Sequence, residues 1–209
     1  SLPSRGLGDV YKRQAEDLVE RCATTHGAAR TYTDYDLMLA DPQLDAVIIA
    51  TADSFHVPAS RAALAAGKHV LCEKPLGVTL DEVEKLMAEV KATGLKLQVG
   101  HMKRFDPGLQ SAKDFIDSEM GAMLAFKGWY CDSTHRYPMT DAVQPLIVKS
   151  DGQRRPETNP KADLEQYYML AHGCHLVDTA RFLCGEITEV QARHLQKSVS
   201  YTHLTLPTT

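Results

Sequence analysis

Polar side chains that can transfer protons or bind charged ligands occur in four short clusters of the sequence. The clusters are Thr51–His56, Glu73–Pro75, His101–Arg104 and His172–Asp178. Lys74 follows an apolar run whose burial would favour the neutral amine, whereas the neighbouring Glu73 would hold the amine charged. His175 lies near the start of a predicted helix, where the helix dipole favours a neutral imidazole that can accept a proton. These residues offer acid–base chemistry, and the sequence leaves the charge of Lys74 open.

Each cluster also has a purely structural interpretation. Glu73–Pro75 could be a polar turn after a strand, Asp53 a helix cap and Arg104 half of a surface ion pair. His175 could be a core histidine hydrogen-bonded to Asp178 one helical turn later. A metal site is a further alternative, although three of its four ligands would lie within four residues of the chain. Those ligands would be His172, Cys174, His175 and Asp178.

Alternating strands and helices are predicted to position the first three clusters. The apolar run Ala46–Ala50 is typical of a strand buried on both faces of a parallel sheet. The next strands are predicted at 69–72 and 96–100. Between the strands we predict a helix from Pro58 that ends at Gly67 and a helix that begins with a capping box and ends at Gly94. The capping box is formed by Thr79 and Glu82, and two shorter helices are predicted upstream, at 15–26 and 35–40. This alternation predicts a doubly wound parallel sheet, whose ligand crevice lies beyond the carboxyl ends of the strands.

The pattern changes after residue 107, which indicates a second domain. Here we predict a helix over 109–120, a strand-like segment over 123–130 and a long loop over 141–163. A helical pattern returns at Leu164 and stops at Gly185. The fourth polar cluster lies on this last helical segment.

Composition excludes several classes of function. The 209 residues are 44% hydrophobic, which suffices for a core, and the net charge of -4 comes without a basic stripe that nucleic acid could bind. No apolar run approaches the roughly 20 residues of a membrane span, and no signal-peptide pattern opens the chain. The five cysteines are scattered and form no Cys-x-x-Cys pair. We therefore expect a soluble cytoplasmic protein with reduced thiols, bound neither to nucleic acid nor to a membrane.

Four motifs resemble those of the Gfo/Idh/MocA oxidoreductases, in the same order along the chain. The segment Ala66–Leu76, AGKHVLCEKPL, is the most specific of them. The others are Asp45–Thr51 with His56, Gly100–Pro107, and Gly173–Asp178. The resemblance extends from about Ala15 to Arg193.

The resemblance implies a hydride transfer between NAD or NADP and a sugar, inositol or related polyol. Lys74 and His175 would be the catalytic residues, one steadying the alkoxide and the other taking the hydroxyl proton. A cis bond before Pro75 is one way to orient Lys74. The residues expected to bind the cofactor are Thr51, Asp53, His56, Glu73, Lys74 and Arg104. Those expected to bind substrate are Lys74, Tyr168, His175 and Asp178, and Trp129, Tyr130, Arg136 and Lys161 are further candidates for substrate contact.

The implied fold is α/β, an incomplete doubly wound Rossmann-type parallel sheet followed by the beginning of an α+β substrate domain. We expect a non-native leader at 1–14, a partial dinucleotide-binding domain at 15–107, a partial substrate domain at 108–197 and a non-native tail at 198–209. The full-length protein is expected to be a homo-oligomer without a metal. An NAD-dependent glycosidase of the same family and a non-catalytic binding module remain alternatives.

The sequence departs from the family pattern at three places. Ala171 stands where many relatives have an Asp four residues before the catalytic His, and Ala52 and Asp53 stand where Pro and Asn are usual. No strand with a GxGxxG turn is present, since Gly6-x-Gly8 lacks the preceding strand and the third glycine. We therefore expect that this chain neither binds a dinucleotide tightly nor turns over substrate.

Overall fold

The computed structural model describes residues 16–130 and 164–193. These residues form two compact units, residues 16–98 and residues 99–130 with 164–193. The sequence pattern placed this boundary at 107/108. It falls earlier in the structure because the short 3-10 helix Met102–Phe105 packs on helices of the second unit.

The first unit contains a parallel sheet and its crossover helices. Its strands are β1 (Ala46–Ile49), β2 (His69–Cys72) and β3 (Leu97–Val99), in the order β1-β2-β3, and β3 ends at the boundary between the units. The helices are α1 (Glu16–His26), α2 (Tyr35–Leu39), α3 (His56–Ala65) and α4 (Leu80–Thr93), with a 3-10 turn at Asp53–Phe55. β1 and β2 pair in parallel, with Ile49 opposite Cys72. The predicted α/β class, with a Rossmann-type parallel sheet, is confirmed.

One face of this sheet carries the core of the first unit. Val47 and Val70 are buried there, and α3 and α4 contribute Leu64 and Leu86 to the same cluster. The prediction that β1 is buried on both faces is wrong for the described residues. Ile48 and its register partner Leu71 point to the other face and remain 52% and 37% exposed, because α3 and α4 cover the opposite side.

Local signals fix the ends of α4 as the sequence predicts. The hydroxyl of Thr79 accepts a hydrogen bond from the Glu82 amide, and the Glu82 carboxylate accepts one from the Thr79 amide. This reciprocal pair satisfies amide groups that the first helical turn leaves free. At the other end, Gly94 has a φ of 67°, a left-handed conformation that side chains disfavour.

Among the described residues of the second unit, the regular elements after β3 are helices. It contains the 3-10 helix Met102–Phe105, α5 (Pro107–Ser118), α6 (Leu164–Tyr168), a π-helical turn (Met169–Gly173) and α7 (Cys174–Cys184). The strand predicted at 123–130 does not form, since the described residues of this unit offer no strand with which it could pair. Throughout the described ranges, every helix is too short or too polar to cross a membrane.

Candidate functional site

Two loops follow the carboxyl ends of β1 and β2, and they lie side by side. The parallel register that aligns Ile49 with Cys72 brings the chain that follows each strand to the same edge of the sheet. The Glu73 amide continues the pairing by donating to the Ile49 carbonyl over 2.8 Å. Four predicted site residues of the first unit therefore belong to one edge: Thr51, Asp53, Glu73 and Lys74.

The polar side chains of this edge differ in exposure. Thr51 and Glu73 are exposed, while Asp53 and Lys74 are partly buried. The Glu73 carboxylate accepts a hydrogen bond of 3.1 Å from the Lys74 backbone amide, which orders the start of the turn that carries the lysine. The Lys74–Pro75 bond is cis, as the sequence analysis suggested. The Thr51 hydroxyl and the Asp53 and Glu73 carboxylates are thus accessible beside residues 73–77, the Lys74 turn.

The imidazole of His56 contacts both loops. The residue is only 1% exposed; Nδ1 lies 2.6 Å from the Pro75 carbonyl oxygen and Nε2 lies 3.0 Å from the Thr51 carbonyl oxygen. The sequence analysis assigned His56 to cofactor binding. The structure instead places both ring nitrogens against the protein backbone.

In the second unit, Arg104 and Asp178 form a bidentate ion pair. Nε of Arg104 lies 2.9 and 3.1 Å from the two carboxylate oxygens, and Nη2 lies 2.7 Å from Oδ1. The Asp178 side chain is only 6% exposed, and the guanidinium also lies 5.5 Å above the ring of Phe182. The hydrogen bonds that the guanidinium donates to this carboxylate raise the pKa of Arg104 above its ordinary value. The pair joins the 3-10 helix after β3 to α7.

His172 and His175 lie among tyrosine rings around the π-helical turn. The Tyr130 ring is stacked on His175, with 6.3 Å between centroids, and lies 5.4 Å from His172 at a tilt. The ring centroids of Tyr168 and His172 lie 5.8 Å apart. A π-helical turn shifts the register of the residues that follow it and is frequent at functional sites. Here it precedes the helix that carries His175.

The predicted site residues are divided between the two units. Thr51, Asp53, His56, Glu73 and Lys74 belong to the first unit, and Arg104, Tyr168, His175 and Asp178 belong to the second. The convergence of Lys74 and His175 stays a prediction. Arg136 and Lys161 lie outside the described residues.

Two contacts were not foreseen in the sequence analysis. Arg104 and Asp178 were both predicted site residues, but they lie 74 positions apart in the chain, and no periodic signal pairs residues at that separation. Asp178 was expected to bind substrate, and its carboxylate is the partner of Arg104. His101 also approaches it, with Nδ1 3.7 Å from Oδ2. Over the described part of the chain, no three His, Cys, Asp or Glu side chains converge as metal ligands would.

Known proteins are similar to parts of this chain in sequence and fold. Residues 4–101 match the family described as "Oxidoreductase family, NAD-binding Rossmann fold". The chain is 37% identical over 127 residues to the scyllo-inositol 2-dehydrogenase (NAD(+)) of Bacillus subtilis (strain 168), covering 60% of this chain and 36% of that protein. It is 34% identical over 131 residues to the scyllo-inositol 2-dehydrogenase (NADP(+)) IolU of the same organism, covering 63% of this chain and 39% of that protein.

A solved structure agrees with both sequence matches. The scyllo-inositol dehydrogenase of Lactobacillus casei with bound NAD(H) and scyllo-inositol superposes with a TM-score of 0.61 at 25% identity, over 80% of this chain and 45% of that one. The chain spans less than half the length of each of these three relatives. The resemblance drawn from the motifs is confirmed: residues 4–101 match the Gfo/Idh/MocA family of NAD(P)-dependent oxidoreductases.

Proposed function

We propose that the residues of this chain serve a hydride transfer between NAD or NADP and a sugar, inositol or related polyol. The observation that carries the proposal is the edge beyond β1 and β2, where the Lys74 turn stands beside accessible Thr51 and Glu73. The names of the inositol dehydrogenases similar to this chain support the substrate class.

The side chains at this edge suit the nicotinamide–ribose half of the cofactor. The Asp53 and Glu73 carboxylates can accept hydrogen bonds from ribose hydroxyls, and the Thr51 hydroxyl can donate or accept. Bound NAD(P) would supply the acceptor or donor of the hydride. A pyrophosphate needs the backbone amides of a glycine-rich turn, and the sequence holds no GxGxxG. The residues therefore fit one end of the dinucleotide.

Within this proposal, Lys74 and His175 divide the acid–base work. Oxidising an alcohol requires a base for the hydroxyl proton and a cation near the developing alkoxide. Lys74 would hold the substrate oxygen, and His175 would accept its proton. Ala171 supplies no carboxylate beside His175, so the proton would pass on by another path. Because the sequence holds no GxGxxG turn that would bind the pyrophosphate, we further propose that the 209 residues alone neither bind a dinucleotide tightly nor turn over substrate.

A chimera tests the role of Lys74. Residues Ala46–Gly94 would replace the aligned segment of the scyllo-inositol dehydrogenase of Lactobacillus casei, and scyllo-inositol-dependent NADH formation would be measured. Lys74→Ala should lower kcat/KM at least about 100-fold and leave the affinity for NADH within about threefold, because the amine acts on the substrate oxygen.

The control for the chimera is Lys85→Ala. Lys85 is an exposed lysine of α4 that pairs with Asp81, and its loss should leave the rate nearly unchanged. A Lys74→Ala chimera that is as active as the Lys85→Ala chimera would refute the assignment.

A further inference from the structure

We propose that His56 is a positioning residue that holds the Lys74 turn in place through a hydrogen bond from its Nδ1 to the Pro75 carbonyl. The inference rests on the proposed function for its catalytic consequence, since it is Lys74 that the turn presents. It differs from cofactor binding, the role that the sequence predicted for His56.

The first support is the surroundings of the imidazole. His56 is the first residue of α3, and it is 1% exposed. Its two nitrogens face carbonyl oxygens from separate loops, Pro75 at 2.6 Å and Thr51 at 3.0 Å. One ring thus spans the loops after β1 and β2, and at this burial water does not compete for its hydrogen bonds.

The number of N–H groups on the imidazole limits how many of these two contacts can be hydrogen bonds. A neutral imidazole has one N–H, and a carbonyl oxygen can only accept. The shorter distance favours the tautomer with that N–H on Nδ1, which then donates to Pro75. Nε2 donates to Thr51 as well only when the ring carries a proton on both nitrogens. The bond to Pro75 is therefore the one that the geometry favours.

A second contact holds the same turn from its other end. Gly77 packs so closely on α3 and α4 that a Cβ at this position would come within 2.9 Å of Val57 and 2.7 Å of Val83. The turn is thus fixed at Pro75 by His56 and at Gly77 by close packing. Lys74 immediately precedes the bonded Pro75, so loss of the His56 bond should shift the lysine backbone. A displacement of about 1 Å at a reacting group can lower a rate about 100-fold.

Two amide substitutions separate the two nitrogens of the ring. In His56→Asn the side-chain nitrogen takes roughly the place of Nδ1 and can still donate to Pro75. In His56→Gln it takes roughly the place of Nε2 and can reach only the Thr51 side. Leu64→Ala, a buried position elsewhere on α3, controls for general loss of stability.

The test uses ¹H–¹⁵N NMR of the 209-residue chain without any cofactor. In the unsubstituted chain we expect a solvent-protected ring proton on Nδ1 of His56. The Lys74 amide signal should stay in place in Leu64→Ala, move little in His56→Asn, and move strongly in His56→Gln and His56→Ala. A ring proton found on Nε2 alone would overturn the inference even if every variant failed to fold. So would equal shifts in His56→Asn and His56→Ala, or an unmoved Lys74 amide in His56→Ala.

Kinetics of the chimera then separate this inference from the proposed function. His56→Gln should lower kcat about tenfold further than His56→Asn, with similar KM for scyllo-inositol, because the change displaces Lys74 without removing a substrate contact. If the NMR pattern holds while Lys74→Ala stays active, the proposed function fails and the positioning role stands. If Lys74→Ala is inactive while the NMR pattern is missing, the positioning role fails alone.

Discussion

At the scale of single residues, Arg104 and Asp178 form an ion pair in which only the guanidinium reaches solvent. The carboxylate is 6% exposed and accepts three contacts of 2.7–3.1 Å from one arginine. Removing the arginine would leave a buried charge without its partner, which destabilises a fold more than loss of an exposed pair. The same chain offers a matched exposed pair in Arg181 and Glu186.

We predict that Arg104→Met lowers the free energy of unfolding of the second unit by about 1–3 kcal/mol, because the Asp178 carboxylate loses its charged donors while staying buried. Methionine keeps most of the apolar contact with Phe182. The measurement is urea unfolding followed by circular dichroism and by the fluorescence of Trp129.

The control is Arg181→Met, whose partner Glu186 is 78% exposed and can return to water. Its expected change is below about 1 kcal/mol. Equal effects of the two substitutions would mean that burial of Asp178 does not matter to the pair.

At the scale of elements, the turn between α2 and β1 is built around the Asp41 carboxylate. The carboxylate accepts hydrogen bonds from the Tyr32 hydroxyl (2.5 Å) and the Gln43 amide (2.8 Å), and it pairs with Arg30. The ammonium of Lys68, just before β2, donates to the carbonyls of Asp41 and Leu44. These bonds join the chain that precedes β1 to the start of β2, at the opposite end of the strands from the Lys74 turn.

Acid should weaken this turn over a defined range of pH. The hydrogen bond from Tyr32, then that from Gln43, and the nearby Arg30 lower the pKa of Asp41 from 3.8 to about 2. A carboxylate with a lowered folded-state pKa stabilises the fold fully above its unfolded pKa, and that contribution disappears as the pH falls through the folded value. The stabilisation should therefore be present above about pH 4 and be lost towards about pH 2.

Asp41→Asn tests this linkage. The variant should unfold at lower urea concentration than the unsubstituted chain at about pH 5, and the difference should shrink as the pH falls towards about 2, since Asp41 of the unsubstituted chain becomes increasingly protonated. Asp81→Asn, an exposed carboxylate of α4, should instead follow the unsubstituted chain. A difference that stays constant over this range would contradict the linkage.

Elements whose own residues show strand periodicity or a helix cap could be predicted from the sequence. β2 and the capping box of α4 lie where the pattern placed them, because strand periodicity and helix caps are local features. Two predictions depended on distant partners and failed. The apolar run of β1 was expected to be covered on both faces, and residues 123–130 were expected to pair as a strand. Covering helices and pairing strands belong to other parts of a chain, so a single segment cannot reveal them.

At the scale of the whole molecule, the predicted site residues belong to two separate units. The sequence could name Lys74 and His175 because family motifs surround each of them. It could not predict the backbone contacts of His56 or the pairing of Arg104 with Asp178, because both depend on contacts between segments apart in the chain. The first unit supplies the edge beside Lys74. The proposed function requires that this edge bind the nicotinamide end of the cofactor.

The most direct test is an NMR titration of the ¹⁵N-labelled chain with nicotinamide mononucleotide, AMP and NADH. We predict that nicotinamide mononucleotide shifts the amide signals of Thr51, Asp53, Glu73 and Lys74. NADH should shift the same signals with similarly weak affinity, in about the millimolar range, because the sequence holds no GxGxxG turn to bind its pyrophosphate. AMP should leave these signals in place. Shifts by AMP as large as those by the mononucleotide, shifts only around Asp41 and Lys68, or micromolar binding of NADH would contradict the account.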